Sequence, residues 1–226
     1  MSHYHDAFET EGARVLRYCI GAFGVNTFIL ICRATKRAAV IDPGGDVGEI
    51  VEAIRAEGAV PEFMLFTHAH IDHMYGAKGI KKAFPDIKVA YHALEQQVVD
   101  AIPDQCRMFG VPCSEMPPCD VDLAQTPDFG VGQLQVYSLL TPGHTPGGVV
   151  FYLPLEKLVF TGDLLFKGSV GRTDFEGGSG TELRRSLDLM ISHIPDEVTL
   201  LPGHGKYTTM GEEKKSNFYL RVDRWR

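Results

Sequence analysis

The segment Thr67-His68-Ala69-His70-Ile71-Asp72-His73 sets three imidazoles and a carboxylate within six positions. Imidazole nitrogen and carboxylate oxygen are the donors that suit zinc, iron and manganese. Histidine is scarce, and four such side chains behind an apolar run cannot all face a core without partners. Four ligands on one short loop also exceed what a single ion takes from one direction. The segment therefore predicts two metals held side by side. Its spacing differs from the His-Glu-x-x-His of helical zinc proteases, where two ligands lie one turn apart. Here the ligands are expected on a loop leaving the strand Phe63-Met64-Leu65-Phe66, a place where rigid scaffolds commonly present functional side chains.

Three further ligand candidates repeat one pattern: an apolar strand, a small or cyclic residue, then a donor. His144 sits in Thr141-Pro142-Gly143-His144-Thr145-Pro146-Gly147-Gly148, after an apolar stretch over 134–140. Proline and glycine on both sides force a tight loop that presents one side chain. Asp163 follows Leu158-Val159-Phe160-Thr161-Gly162, and His204 lies in Pro202-Gly203-His204-Gly205 after the run 198–201. By contrast, His3-Tyr4-His5 near the N-terminus reads as ordinary surface.

Taken in this order, the motifs resemble the metallo-β-lactamase superfamily, and within it the short, bacterial type of hydroxyacylglutathione hydrolase (glyoxalase II). The likeness runs from about Val15 through His204. It implies an α/β fold of the metallo-β-lactamase type, a four-layer αββα sandwich with the metals at one edge. It implies that one metal takes His68, His70 and His144, that a second takes Asp72, His73 and His204, and that Asp163 bridges both. The implied cofactors are two divalent ions, zinc first, with iron or manganese as alternatives. Asp42, which ends a strand before a Pro-Gly turn, would lie beneath the site and orient a ligand histidine; a capping or turn role serves the same residue equally well.

Such a centre supports hydrolysis. Zinc lowers the pKa of a bound water from roughly 15.7 to about 7, so the nucleophile is a hydroxide available at neutral pH. The expected reaction is attack on the carbonyl of an acyl thioester such as S-D-lactoylglutathione. Asp72, besides being a ligand, is expected to orient the nucleophile or handle its proton. The chain has no Gly-x-Ser-x-Gly elbow to supply a serine instead.

Substrate recognition rests on fewer residues. Gly171-Arg172-Thr173-Asp174-Phe175 resembles a segment near the substrate pocket of relatives. Two roles are open to Arg172: binding a substrate carboxylate, which guanidinium geometry suits, or a salt bridge to Asp174. Lys206 is a weaker candidate. Only 226 − 204 = 22 residues follow His204, too few for the C-terminal helical domain that helps longer glyoxalase II enzymes grip glutathione. The competing reading is a persulfide dioxygenase, which shares the Gly-Arg-Thr-Asp-Phe segment and holds one iron; the matching positions are His68, His144 and Asp163. A binding module that has lost catalysis is disfavoured because every ligand position is filled.

Around these motifs the chain reads as one domain over 1–226. Its 226 residues, 44% hydrophobic and 23% charged, have the makeup of an ordinary globular enzyme. The net charge, 22 − 29 = −7, argues against nucleic acid as a partner. No stretch approaches the roughly 20 apolar residues that span a bilayer, and the N-terminus lacks a signal-peptide pattern. A cytoplasmic enzyme acting on a small molecule is expected. The odd cysteine count, with no Cys-x-x-Cys, fits reduced thiols, with a disulfide within 106–119 as the alternative.

Strand and helix signals alternate as an α/β domain requires. Strands are expected over 15–20, 27–32, 38–41 and 87–91, besides those that precede the ligands. Helices are expected over 47–57, with Asp46 as N-cap and Gly58 as terminator, over 75–84 and over 181–194. The proline-rich region 93–128 reads as surface loops near the mouth of the site.

Overall fold

Two sheets carry the molecule in the computed structural model, which describes residues 4–113 and 115–221. His3 of the N-terminal His3-Tyr4-His5 run lies outside them. The first sheet comprises β1 (Tyr4–Glu9), β2 (Ala13–Ile20), β3 (Val25–Cys32), β4 (Arg37–Ile41), β5 (Val60–Leu65), β6 (Lys88–Tyr91) and β7 (Val121–Asp122), side by side in chain order. The strands β1 to β4 are antiparallel, and β4 to β7 run parallel. The second sheet is built from β8 (Asp128–Val131), β9 (Leu134–Leu140), β10 (Val149–Leu153) and β11 (Leu158–Gly162). After a small hairpin of β12 (Leu165–Phe166) and β13 (Ser169–Val170), it is completed by β14 (Thr199–Pro202) and β15 (Thr208–Thr209), in the order β15-β14-β11-β10-β9-β8.

Three apolar layers hold these sheets between helices. On the outer face of the first sheet, Ile29, Val40 and Met64 pack against α1 (Gly48–Ala56), α2 (Ile71–Met74), α3 (Ala77–Ala83), α4 (Gln96–Asp100) and α5 (Ile102–Phe109), through residues such as Ile50, Met74, Ile80, Val98 and Ile102. Between the sheets, Phe28, Leu30 and Leu65 meet Val136, Phe151 and Phe160, with the Phe28 and Phe160 rings edge to face at 5.1 Å. Beyond the second sheet, Val150, Val159 and Leu200 pack against Leu183, Leu187 and Met190 of α6 (Gly180–His193), with Met210 of α7 (Met210–Ser216) alongside. This is the αββα sandwich that the resemblance implied. In β3 all eight residues are buried, because alternate side chains feed two covered faces and the polar half of the usual alternation disappears.

The local expectations fare unevenly. Gly58 does end α1, at φ +63°, the left-handed conformation glycine adopts without strain. Asp46 is not the N-cap. Val47 occupies that position without a side-chain bond, and Asp46 Oδ1 accepts from the Gly48 N–H at 3.0 Å. The helix expected over 75–84 begins earlier and breaks in two, α2 and α3. Gly76 sits at the break, where a Cβ would meet Val47 Cγ1 at 2.4 Å, so tertiary crowding rather than propensity places it. The region 93–128 is not all loop. It contains a 3-10 turn (Ala93–Glu95), α4 and α5, and buries Val98, Ile102 and Cys106. These helices span too few turns for their period to show. All five cysteines are free thiols.

Candidate metal centre

The ligand-bearing segments leave the sheets at one edge. The parallel strands β4 and β5 end just before Asp42 and Thr67, and the parallel pair β11 and β14 ends just before Asp163 and Gly203-His204. The loop 141–148 joins β9 to β10 at the same edge, where Val149 N–H donates to Thr67 O at 2.8 Å. Crevices outside the carboxyl ends of parallel strands are where α/β folds collect ligands. The sequence expectation placed Asp72 and His73 on a loop; they lie instead on the single turn α2, with His70 as its N-cap.

All seven expected donors converge there. His68, His70 and His144 form one cluster, Asp72, His73 and His204 a second, and His68, His73 and Asp163 a third; within each, donor atoms lie inside 4.8 Å of one another. His144 Nε2 is 3.0 Å from His70 Nδ1. Asp163 spans the clusters: its Oδ1 is 3.4 Å from His73 Nε2, and its Oδ2 is 3.6 Å from His144 Nε2 and 3.7 Å from His204 Nε2. Asp72 Oδ2 lies 3.3 Å from His204 Nε2. Tetrahedral ligation at 2.0–2.1 Å separates neighbouring donors by about 3.3 Å, so these spacings fit metal ions.

The hydrogen-bond inventory agrees with that fit. His68 Nε2, His73 Nε2 and Asp163 Oδ1 are buried without a hydrogen-bond partner. An orphaned buried polar atom costs about 1–3 kcal/mol, and three aimed at one point mark a place for cations. A void of about 10 Å³ is lined by His68, His144 and Asp163 among others. Gly203 keeps the space open: a Cβ there would stand 2.4 Å from Asp163 Oδ1.

Polar residues around the donors fix their directions. Asp42 accepts from Thr67 N–H at 2.8 Å and from the Thr67 hydroxyl at 2.7 Å. That hydroxyl lies 3.2 Å from His68 Nδ1; with its own proton given to Asp42, it accepts from His68 Nδ1–H and leaves Nε2 for the site. Asp42 Oδ2 also lies 3.0 Å from His73 Nδ1, a close ionic approach without hydrogen-bond alignment. The buried aspartate holds φ at +50°, a strained value for a non-glycine residue. His144 Nδ1 donates to the Arg172 carbonyl at 2.7 Å.

Burial sets the protonation pattern. It holds His68 well below the usual imidazole range, with His73, His70 and His144 adding like-charge repulsion. Burial, then His144, pushes His70 down to about 3. His144 is lowered as well, burial outweighing the pull of Asp163. These three are neutral at pH 7, the form that binds metal. At His73 burial is overcome by Asp163, Asp72 and Asp42, and its pKa is raised well above the usual value. His204 is raised too, its burial outweighed by Asp72 and Asp163. Burial opposes ionisation of Asp72 and Asp163, yet His73 and its neighbours keep both below the usual carboxylate range.

Arg172 enters the site through its backbone. Its guanidinium pairs with Asp174, Nε to Oδ1 at 2.6 Å, and lies 4.1 Å over the Phe175 ring. More than half of that side chain is exposed, so substrate can still reach it. Phe175 in turn packs edge-on to His70 at 5.1 Å. Lys206 is exposed.

Several positioning groups escape a reading of motifs. Asn26 donates to Pro202 O and Gly205 O, each at 2.9 Å, and so grips the His204 loop. Gln105 Oε1 accepts from Ile71 N–H at 2.9 Å. Glu95, fully buried, accepts from Ala69 and Gly147 N–H; burial raises its pKa and these bonds oppose the rise. No local signal identifies Asn26, Gln105 or Glu95, because these bonds span 26 or more residues of chain. Beside Asp72 opens a largely apolar cleft of about 210 Å³, walled by Phe23, Ile71, Tyr75 and Val111 with Gly21, Gly44 and Gly45.

The chain is similar to known proteins over most of its length. The family model for the metallo-beta-lactamase superfamily matches residues 20–204. Hydroxyacylglutathione hydrolase GloC of Haemophilus influenzae is 34% identical over 200 residues, covering 84% of this chain and 91% of its own length. BLEG-1 B3 metallo-beta-lactamase superposes with a TM-score of 0.84 at 32% identity, covering 91% of this chain and 99% of its own. TTHA1623, solved in a di-iron-bound form, gives 0.82 at 32% identity, with 90% and 99% covered.

Proposed function

The chain belongs to the metallo-β-lactamase superfamily, and from that premise we propose that it is a metal-dependent thioesterase acting on S-D-lactoylglutathione or a similar small acyl thioester. The observation that carries the reading is the pair of three-residue clusters spanned by Asp163. His68, His70 and His144 would hold one ion, Asp72, His73 and His204 the other, with Asp163 between them. The relative named hydroxyacylglutathione hydrolase supports the thioester, and the relative with two irons supports a pair of ions, zinc or iron, manganese being a further option.

Bound there, divalent ions supply Lewis acidity and bring the pKa of a water from roughly 15.7 toward 7. The chain's own residues supply orientation. Asp72, held ionised by its histidine neighbours and one-fifth exposed at the cleft, accepts a hydrogen bond from the attacking water and so orients it. The apolar cleft receives the uncharged part of the substrate and sheds water from it. The exposed Arg172 guanidinium takes a substrate carboxylate. A thiolate, with a parent pKa of about 8.5, leaves without needing a general acid.

The deciding experiment is metal content by plasma mass spectrometry on untagged protein, followed by an S-D-lactoylglutathione assay with thiol detection. Two divalent ions per chain and thiol release are expected. One iron per chain, no thioester cleavage and persulfide-dependent oxygen uptake would replace this reading with a dioxygenase on His68, His144 and Asp163. Replacing His68 with alanine should abolish turnover and leave the circular dichroism spectrum unchanged; retained turnover at full metal content would sink the assignment.

A further inference from the structure

Glu95 is not one of the seven donors, yet its carboxylate joins the two loops that carry His68, His70 and His144. One oxygen accepts from the N–H of Ala69, the residue between His68 and His70, at 2.7 Å. The other accepts from the N–H of Gly147, three residues past His144, also at 2.7 Å. The contact is close along the backbone too: a Cβ on Gly147 would lie 2.7 Å from the Glu95 nitrogen. The loop 141–148 therefore rests directly on the turn Ala93–Glu95.

We infer that Glu95 is a positioning residue that fixes the separation of His144 from the His68–His70 pair and so sets the affinity of that triad for a divalent ion. The inference rests on the metal reading above. Ligation tolerates only about 0.2 Å of error in donor distance. A carboxylate is a rigid fork, and with both tines engaged it transmits the place of one loop to the other. Glutamine cannot do this. Its single oxygen can serve one N–H, while its amide NH2 is set against the other N–H, donor facing donor. Aspartate keeps the fork but is one carbon too short to reach both loops.

A matched control exists in Glu213. It is equally buried, and its carboxylate accepts from Gly168 N–H, Asn217 Nδ2 and the Thr208 hydroxyl, each at 2.8 Å. None of those partners is a donor of the metal clusters. The test compares wild type, E95Q, E95D and E213Q for Zn2+ affinity by chelator competition, for the visible spectrum of the Co2+-loaded protein, and for thermal stability. E95Q is expected to weaken the His68/His70/His144 ion about 10- to 100-fold and to shift the Co2+ bands. E213Q should lose comparable stability with affinity and spectrum unchanged. Should E95Q fail to fold, E95D is held to the same two criteria. Wild-type zinc affinity and an unaltered Co2+ spectrum in the Glu95 variants would overturn the inference, as would the same losses in E213Q. A wild-type chain that binds no zinc or cobalt would overturn the metal reading itself, a distinguishable result.

Discussion

At His73 a fully buried imidazole faces Asp42, Asp72 and Asp163 and keeps its proton, while His68, His70 and His144 close by are neutral. The two clusters should therefore take up metal with different pH dependence. The raised pKa values of His73 and His204 mean that at neutral pH a metal must displace protons there. Binding to that cluster weakens as pH falls, whereas the neutral triad has few protons to release. Calorimetric zinc titration in two buffers of different ionisation enthalpy, at about pH 8 and about pH 6, should show proton release and a steeper loss of affinity for one of two sites. Equal proton release from both would contradict the assigned protonation. Arg172 makes a separate prediction: Arg172→Ala should raise KM for an acidic thioester roughly tenfold with kcat within about twofold, the signature of lost uniform binding. An unchanged KM would confine Arg172 to its bonds with Asp174 and His144.

The ligand segments follow strand ends, and three of them are gripped by polar side chains from other elements. Asn26 on β3 grips the turn after β14, Asp42 at the end of β4 grips the segment after β5, and Glu95 ties that segment to the loop before β10. The cost of losing such a grip can be bounded. Asn26→Ala would leave the Pro202 carbonyl without its side-chain partner, while the Gly205 carbonyl keeps the Arg17 guanidinium at 3.0 Å, a loss of about 1–3 kcal/mol for the one unpaired group. Urea denaturation of the metal-free protein would measure it. A change under about 0.5 kcal/mol, the level of an ordinary surface substitution, would mean the loop holds itself. The helices behave differently: α2 is a single turn, tied to the surrounding framework by the Ile71 N–H to Gln105 and the Gly76 N–H to the Pro43 carbonyl.

For the molecule as a whole, the centre is a cross-brace between the two sheets, since His68, His70, Asp72 and His73 follow the first sheet and His144, Asp163 and His204 the second. Metal binding is then coupled to folding. With free metal at a hundred times its dissociation constant, one site adds about 2.7 kcal/mol. At roughly 2–4 °C per kcal/mol for a chain of this size, removing the metal should lower Tm by about 5–10 °C per site. A chelator titration followed by calorimetry would test this, and an unchanged Tm would place the donors outside the load path of the fold. The seven donors and the strands before them were legible in the sequence because ligand chemistry requires particular residue types, and because buried strands next to glycine and proline announce where a loop begins. Resemblance, not periodicity, supplied the sandwich. Only the tertiary structure decided that Asp72 and His73 sit on a helical turn, that 93–109 folds into short buried helices, and that Asn26, Gln105 and Glu95 hold the site together. Those outcomes depend on contacts between residues far apart in the chain, whose energies appear only after the sheets have brought them within hydrogen-bonding distance.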